Sequence, residues 1–190
     1  MPPVLSHIGY IVEPLYLWIV SKIYPLAMTE SHSSKKDMEA HGFKNVSLFS
    51  VGMALKPKSA LTKKQRYNTV LSLGAVRPMK RTLDAVKAFE HAHDLNPNLT
   101  MIVAGENSSN YGAHLARYTA ASRAKNSISI VGRVSAADRL ELMREAGAIL
   151  VTSAKEGWGL IVTEANSQGT PAVVYDVDGL RDSVKHLKSG

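Results

Sequence analysis

The stretch Ala148-Ile-Leu-Val-Thr-Ser-Ala-Lys-Glu-Gly-Trp-Gly-Leu-Ile-Val-Thr-Glu-Ala-Asn166 decides how this chain folds. Residues 148–151 are an unbroken apolar run, the pattern of a strand buried on both faces in a parallel sheet. Gly157 and Gly159 then form a turn where backbone can approach a ligand with no Cβ in the way. From Leu160 the residues Leu-Ile-Val-Thr-Glu-Ala read as a helix, stopped before Gly169 and Pro171. A helix that starts in such a loop points unpaired N–H groups and a positive dipole end into the space above the sheet, which suits phosphate. Two carboxylates flank the turn, Glu156 before it and Glu164 in the helix. A carboxylate accepts two hydrogen bonds from a vicinal diol, so Glu164 suits a ribose and Glu156 a sugar ring.

Outward from this stretch, strand and helix patterns alternate. Upstream they predict strands over 69–73, 100–104 and 127–131 and helices over 82–93, 111–124 and 136–146, the last entered through Ser135 with Asp138 three residues on. Downstream follow a strand over 172–175 and a helix over 180–187 capped by Asp178. Repeated βα units with short connections predict an α/β fold, a doubly wound parallel sheet with helices on both faces. Before it, residues 1–52 read as a separate remnant. It has helical spacing over 15–24, a strand over 26–29, a helix over 33–42 with a serine start and a glycine stop, and a strand over 45–51. Residues 53–66 are largely polar and aperiodic, a linker leading into the domain at 67–190.

At 190 residues, 45% of them apolar, the chain has room for one full domain and part of another. The absence of cysteine excludes disulfides and thiolate metal sites and agrees with a reducing compartment, so the cytoplasm is expected. The net charge of +7 points to anionic company. Its clusters, Lys35-Lys36, Lys63-Lys64-Gln-Arg66 and Lys80-Arg81, carry neither zinc-finger spacing nor an aromatic RNA-binding pattern, which argues against nucleic acid. Peripheral contact with anionic lipid at the inner membrane face fits the same charge. His7, Glu13, Pro14 and Lys22 break up the apolar N-terminus, so neither a spanning helix nor a signal peptide is expected there.

The segment Glu156-Gly-Trp-Gly-Leu-Ile-Val-Thr-Glu164 resembles the E-x7-E signature of the retaining GT-B glycosyltransferases of the GT4 type (glycosyl transferases group 1). Ala165-Asn166, Gly169-Thr-Pro-Ala-Val173 and Gly179-Leu-Arg-Asp-Ser-Val184 match the same family in the same order, especially its archaeal-looking members. The resemblance runs from about Ala27 to the end of the chain. It implies the donor-binding half, truncated before the strand and closing helices that the family would add, of a metal-independent enzyme that takes a UDP- or GDP-linked sugar into a cleft between two Rossmann-like domains and needs no cofactor. The acceptor (glycan, lipid or small molecule) would dock on the other half, whose closing segment Thr29-Glu-Ser-His-Ser-Ser-Lys-Lys-Asp37 resembles. The resemblance assigns the ribose to Glu164, the donor sugar to Glu156, and sugar and phosphate contacts to backbone of Gly157, Trp158, Gly159 and Leu160. It places base contacts near Gly132 and Arg133, made largely by backbone. Trp158 is expected to pack the loop against the sheet.

Ligands of such sheets sit at the carboxyl ends of the strands, which brings Gly74-Ala-Val-Arg-Pro-Met-Lys-Arg81 into consideration. Lys80 stands where the family carries a lysine. Ala75 replaces the usual arginine, and Arg77 is the substitute inferred. These cations would stabilise a departing diphosphate. Asp176-Val-Asp178 also admits a metal-binding reading, as in GT-A enzymes, but its place at a helix start favours a capping role. His91 and His93 diverge on a helix, His32 and His41 have no partner at ligand spacing, and no metal site is expected. Two rival functions remain: nucleotide-sugar binding without turnover, and a GT-B relative with other chemistry, such as a sugar-nucleotide epimerase or a phosphorylase.

Overall fold

The computed structural model describes residues 3–24, 26–50, 52, 53, 55–57 and 66–190. The chain divides into two compact units, Met1–Gly52 and Met53–Gly190. Most of the expected linker, with Lys63 and Lys64 of the basic cluster, lies outside the described residues.

The first unit holds α1 (Pro3–Ile23), β1 (Ala27–Thr29), α2 (His32–Ala40) and β2 (Val46–Leu48). The strands pair in parallel, Ala27 opposite Val46 and Thr29 opposite Leu48, so β1–α2–β2 is a βαβ unit. Ala27, Phe43 and Val46 form its small core, with Leu17, Val20 and Met38 packed against them. Helix α2 starts earlier than the serine pattern predicts. Ser31, not Ser33, is the cap, and its Oγ accepts the Ser34 N–H at 3.1 Å. Among the described residues no helix is long and apolar enough to cross a membrane.

The second unit is β3 (Arg66–Leu73), α3 (Thr82–Leu95), β4 (Thr100–Ala104), α4 (Asn110–Ala121), β5 (Ile128–Gly132), α5 (Ala136–Glu145), β6 (Ala146–Val151), α6 (Leu160–Ser167), β7 (Ala172–Val174) and α7 (Leu180–Ser183). Its five strands are all parallel in the order β5-β4-β3-β6-β7. Side-chain alternation along each strand feeds two cores. Met101 and Val103 of β4 meet Val86, Phe89 and Leu115 of α3 and α4 on one face. Leu71 and Ile149 meet Met143, Val162, Ala165 and Leu180 of α5, α6 and α7 on the other. This is the doubly wound sheet that the βα alternation predicts. The order reverses between β3 and β6, so their following helices leave to opposite faces and open a crevice at their carboxyl ends.

Two helices end sooner than their periodicity suggests. Helix α4 stops at Ala121 because the Ser122 hydroxyl is drawn to the buried Glu90 carboxylate and also accepts the Ala124 N–H. Helix α7 is a single turn, after which the chain bends back so that the Ser189 carbonyl accepts the Ala172 N–H at the start of β7 (3.0 Å). Its N-cap is Gly179 at φ 81°, not Asp178. The Asp178 carbonyl accepts the Glu156 N–H (3.1 Å) instead, and its carboxylate pairs with Arg181 (2.9 Å). Ser135 caps α5 as expected: its Oγ accepts the Asp138 N–H at 3.1 Å and donates to the Asp138 carboxylate at 2.7 Å.

Candidate functional site

A cavity of about 150 Å³ lies at the reversal point of the sheet. Ser72, Leu73 and Gly74 at the end of β3 form one side, and Leu150 to Ser153 at the end of β6 form the other. Lys80, Thr82, Arg139 and Ile161 complete the wall.

Lys80 reaches this wall through a tight backbone arrangement. After β3 the chain makes a single 3₁₀ turn, Pro78–Lys80, and Arg81 follows in the left-handed region at φ 48°. An arginine adopts that conformation only where its surroundings hold it there. Here the Thr152 hydroxyl, a donor at 3.0 and 2.9 Å from the carbonyls of Lys80 and Arg81, ties the turn to the end of β6. The Ala154 N–H adds a bond to the Met79 carbonyl at 2.9 Å. Lys80 Nζ then meets the Glu156 carboxylate, so two loops 76 residues apart in sequence join in one ion pair. The Ser153 hydroxyl donates to the same Oε1 at 2.7 Å, and only 18% of the Glu156 side chain is exposed.

The glycine-bearing turn has the conformation its residues suggest. Gly159 caps α6 at φ 84° with no side chain on the first-turn amides. Gly179 matters equally, for a reason that spacing does not reveal. A Cβ there would lie 2.1 Å from the Glu156 carbonyl oxygen, so only glycine lets α7 pass under the turn. Trp158 donates from Nε1 to Thr163 Oγ1 at 2.8 Å, which pins it to the first turns of α6.

Glu164 lies one helical turn beyond Ile161 on the same face of α6. Its Oε1 accepts from Arg139 Nη2 at 3.1 Å, and 16% of its side chain is exposed. The two acids of the signature therefore stand one hydrogen bond behind the cavity wall, Glu156 behind Lys80 and Ser153, Glu164 behind Arg139. Arg77 is exposed at the head of the 3₁₀ turn and does not line the cavity. The second cation of the wall is Arg139, which neither residue type nor spacing reveals. The pairing of residues 139 and 164 is set by how α5 packs on α6.

Gly132 takes φ 69° at the end of β5 and its carbonyl accepts the Gly105 N–H at 2.7 Å. Arg133 beside it is exposed and outside the cavity wall. Hydrogen bonds from the side chain and backbone of Ser108 hold the Glu106 carboxyl below its ordinary pKa, with a smaller contribution from the charge of Arg133. Asp176 and Asp178 both face Arg181, at 2.7 and 2.9 Å, and these carboxylates raise the guanidinium pKa further. Among the described residues no group of three or more His, Cys, Asp or Glu is placed to hold a metal ion.

The chain is 31% identical over 133 residues to a D-inositol 3-phosphate glycosyltransferase of Rhodococcus jostii (strain RHA1), an alignment that covers 66% of this chain and 29% of that protein. It is 27% identical over 121 residues to a glycogen synthase of Mycobacterium tuberculosis (strain ATCC 25618 / H37Rv), covering 64% of this chain and 29% of the relative. The chain thus spans less than a third of the length of these curated relatives. Among solved structures it superposes on Anabaena HepE in complex with UDP-glucose with a TM-score of 0.74, over 91% of this chain and 52% of that one, at 18% identity. The family model for glycosyl transferases group 1 matches residues 56–190, and the chain belongs to that family.

Proposed function

We infer that the crevice at the end of β3 and β6 binds a nucleoside-diphosphate sugar, UDP- or GDP-linked, and that the whole protein transfers the sugar to an acceptor with retention at the anomeric carbon. The ion pair between Lys80 and Glu156 carries this reading, because it joins a cation of the cavity wall to an acid of the other loop that stands directly behind that wall, at the start of the glycine turn. Lys80 would take up charge on the departing diphosphate, with the amides at the start of α6 beside it, and Glu156 would hold the sugar hydroxyls. Glu164 would hold the ribose. HepE, a protein of the same fold, has been solved in complex with UDP-glucose, which supports a nucleotide sugar as donor. The engagement of Asp176 and Asp178 with Arg181 supports a diphosphate neutralised by Lys80 rather than by a cation held on those acids.

Binding isotherms with UDP, GDP and ADP test the reading. Lys80→Ala and Glu164→Ala should each weaken the preferred nucleotide by about 1–3 kcal/mol, the scale of a lost charge-assisted hydrogen bond. Equal affinity in wild type and both variants would overturn the assignment. A second reading, binding without turnover, is favoured by one observation: every residue of the cavity wall belongs to the second unit. Nucleotide-dependent thermal stabilisation with neither transfer nor donor hydrolysis would support it, and transfer to an added acceptor would end it.

A further inference from the structure

The Arg139–Glu164 pair has more hydrogen-bonding capacity than it uses. One bond joins Nη2 to Oε1, and neither the remaining N–H groups of Arg139 nor Oε2 of Glu164 has a further partner among the described residues. Arg139 lines the cavity, and Glu164 stands directly behind it. Helices α5 and α6 are already joined through buried Met143, Val162 and Ala165. An ion pair with its arginine about a third exposed adds little to that packing.

The chemistry of the pair is specific. A carboxylate alone accepts hydrogen bonds but offers none, so it satisfies only the hydrogens of two neighbouring hydroxyls. A guanidinium beside it supplies donors in a fixed plane for the hydroxyl oxygens. Acceptor and donor together match a vicinal diol, whose two hydroxyls both donate and accept.

We propose that Arg139 is a specificity-determining residue of the donor site, forming with Glu164 a two-part receptor for the ribose 2′,3′-diol. The proposal rests on the nucleotide-sugar reading of the cavity. Arg139 fixes one oxygen of Glu164, leaves the other for a hydroxyl hydrogen, and donates to the oxygen of the neighbouring hydroxyl. A lone Glu164, free to rotate, would hold a deoxyribose nearly as well as a ribose.

The test compares UDP with 2′-deoxy-UDP, and in parallel GDP with 2′-deoxy-GDP, by titration calorimetry on wild type, Arg139→Leu and Arg139→Lys. Wild type should prefer the ribonucleotide about tenfold. Arg139→Leu, which keeps an apolar stem, should weaken the ribonucleotide about tenfold and leave the deoxynucleotide within about twofold, so the preference disappears. Arg139→Lys keeps the charge without the planar fork and should recover less than half of the preference on a logarithmic scale. Equal weakening of both nucleotides by Arg139→Leu would show an electrostatic pull on phosphate and overturn the diol receptor. So would an unchanged preference in Arg139→Leu, or wild type that binds both sugars alike. Failure of wild type to bind any nucleotide would overturn the reading of the cavity itself, a separate result. Ligand-free melting temperatures within about 2 °C of wild type would show that the variants are folded.

Discussion

At the residue scale, the site is held in a self-satisfied state. Lys80 spends its charge on Glu156, and Ser153 donates to the same carboxylate oxygen. Any diphosphate that recruits Lys80 must compete with that carboxylate. Glu156→Gln should therefore split two measurements. The neutral amide frees Lys80 and removes a negative charge near the phosphates, so UDP should bind several-fold tighter. Sugar transfer by the whole protein should fall by at least about 10²-fold, as for other losses of a charged group that acts on the transition state. Weaker UDP binding in this variant would show that Glu156 orders Lys80 rather than restraining it. Thr152→Val removes the hydroxyl that ties Lys80 and Arg81 to β6 at nearly constant volume. It should cost about 1–3 kcal/mol in thermal or urea unfolding, because the left-handed Arg81 loses a bond that holds it.

At the element scale, the turn between β6 and α6 depends on what lies beneath it. The added Cβ of Gly179→Ala would meet the Glu156 carbonyl oxygen at 2.1 Å, and the residue sits at φ 81°, which L side chains avoid. This variant should lose about 2–4 kcal/mol of stability by denaturant titration and should also displace Glu156. Binding of UDP should fall with it even though residue 179 does not line the cavity. Ser135→Ala at the cap of α5 should cost about 1 kcal/mol. Because α5 carries Arg139, that loss should be accompanied by weaker nucleotide binding only if the start of the helix frays. A chemical-denaturation curve and one isotherm on the same variant distinguish the two outcomes.

At the scale of the whole molecule, the second unit has two cores, one on each face of the parallel sheet, and a buried acid outside the site joins two of its outer helices. Glu90 of α3 accepts from Tyr118 Oη at 2.8 Å and from the Ser122 hydroxyl, both at the far end of α4. Burial by itself would raise the Glu90 pKa, but these hydrogen bonds, with the charges of Arg123 and His91, bring it below its ordinary value. The same contact raises the Tyr118 phenol. A carboxyl with a lowered folded-state pKa adds stability above its unfolded value, about 4.3, and loses it as pH falls through the lower folded value. Glu90→Gln should therefore lie below wild type in melting temperature at neutral pH. The gap should close as the pH falls from about 5 to 3. A gap of constant size across that window would mean that the charge of Glu90 is not what counts.

The alternation of apolar runs with 3.6-residue periodicity was enough to determine a doubly wound parallel sheet, since runs such as 148–151 and 100–104 can be buried only between two helical layers. Local chemistry also determined the Ser135 cap, the glycine turn and the two acids around it, because each depends on neighbours within a few positions. Where helices stop was less legible: α4 ends at a serine drawn to an acid 32 residues away, and α7 ends because the chain returns to β7. Pairings between distant segments came only with the tertiary structure. Lys80 and Glu156 meet because β3 and β6 are neighbours at the point where strand order reverses, and Arg139 replaces Arg77 at the cavity because α5 lies against α6. Periodicity sets which face of an element is buried; only packing sets which two faces meet.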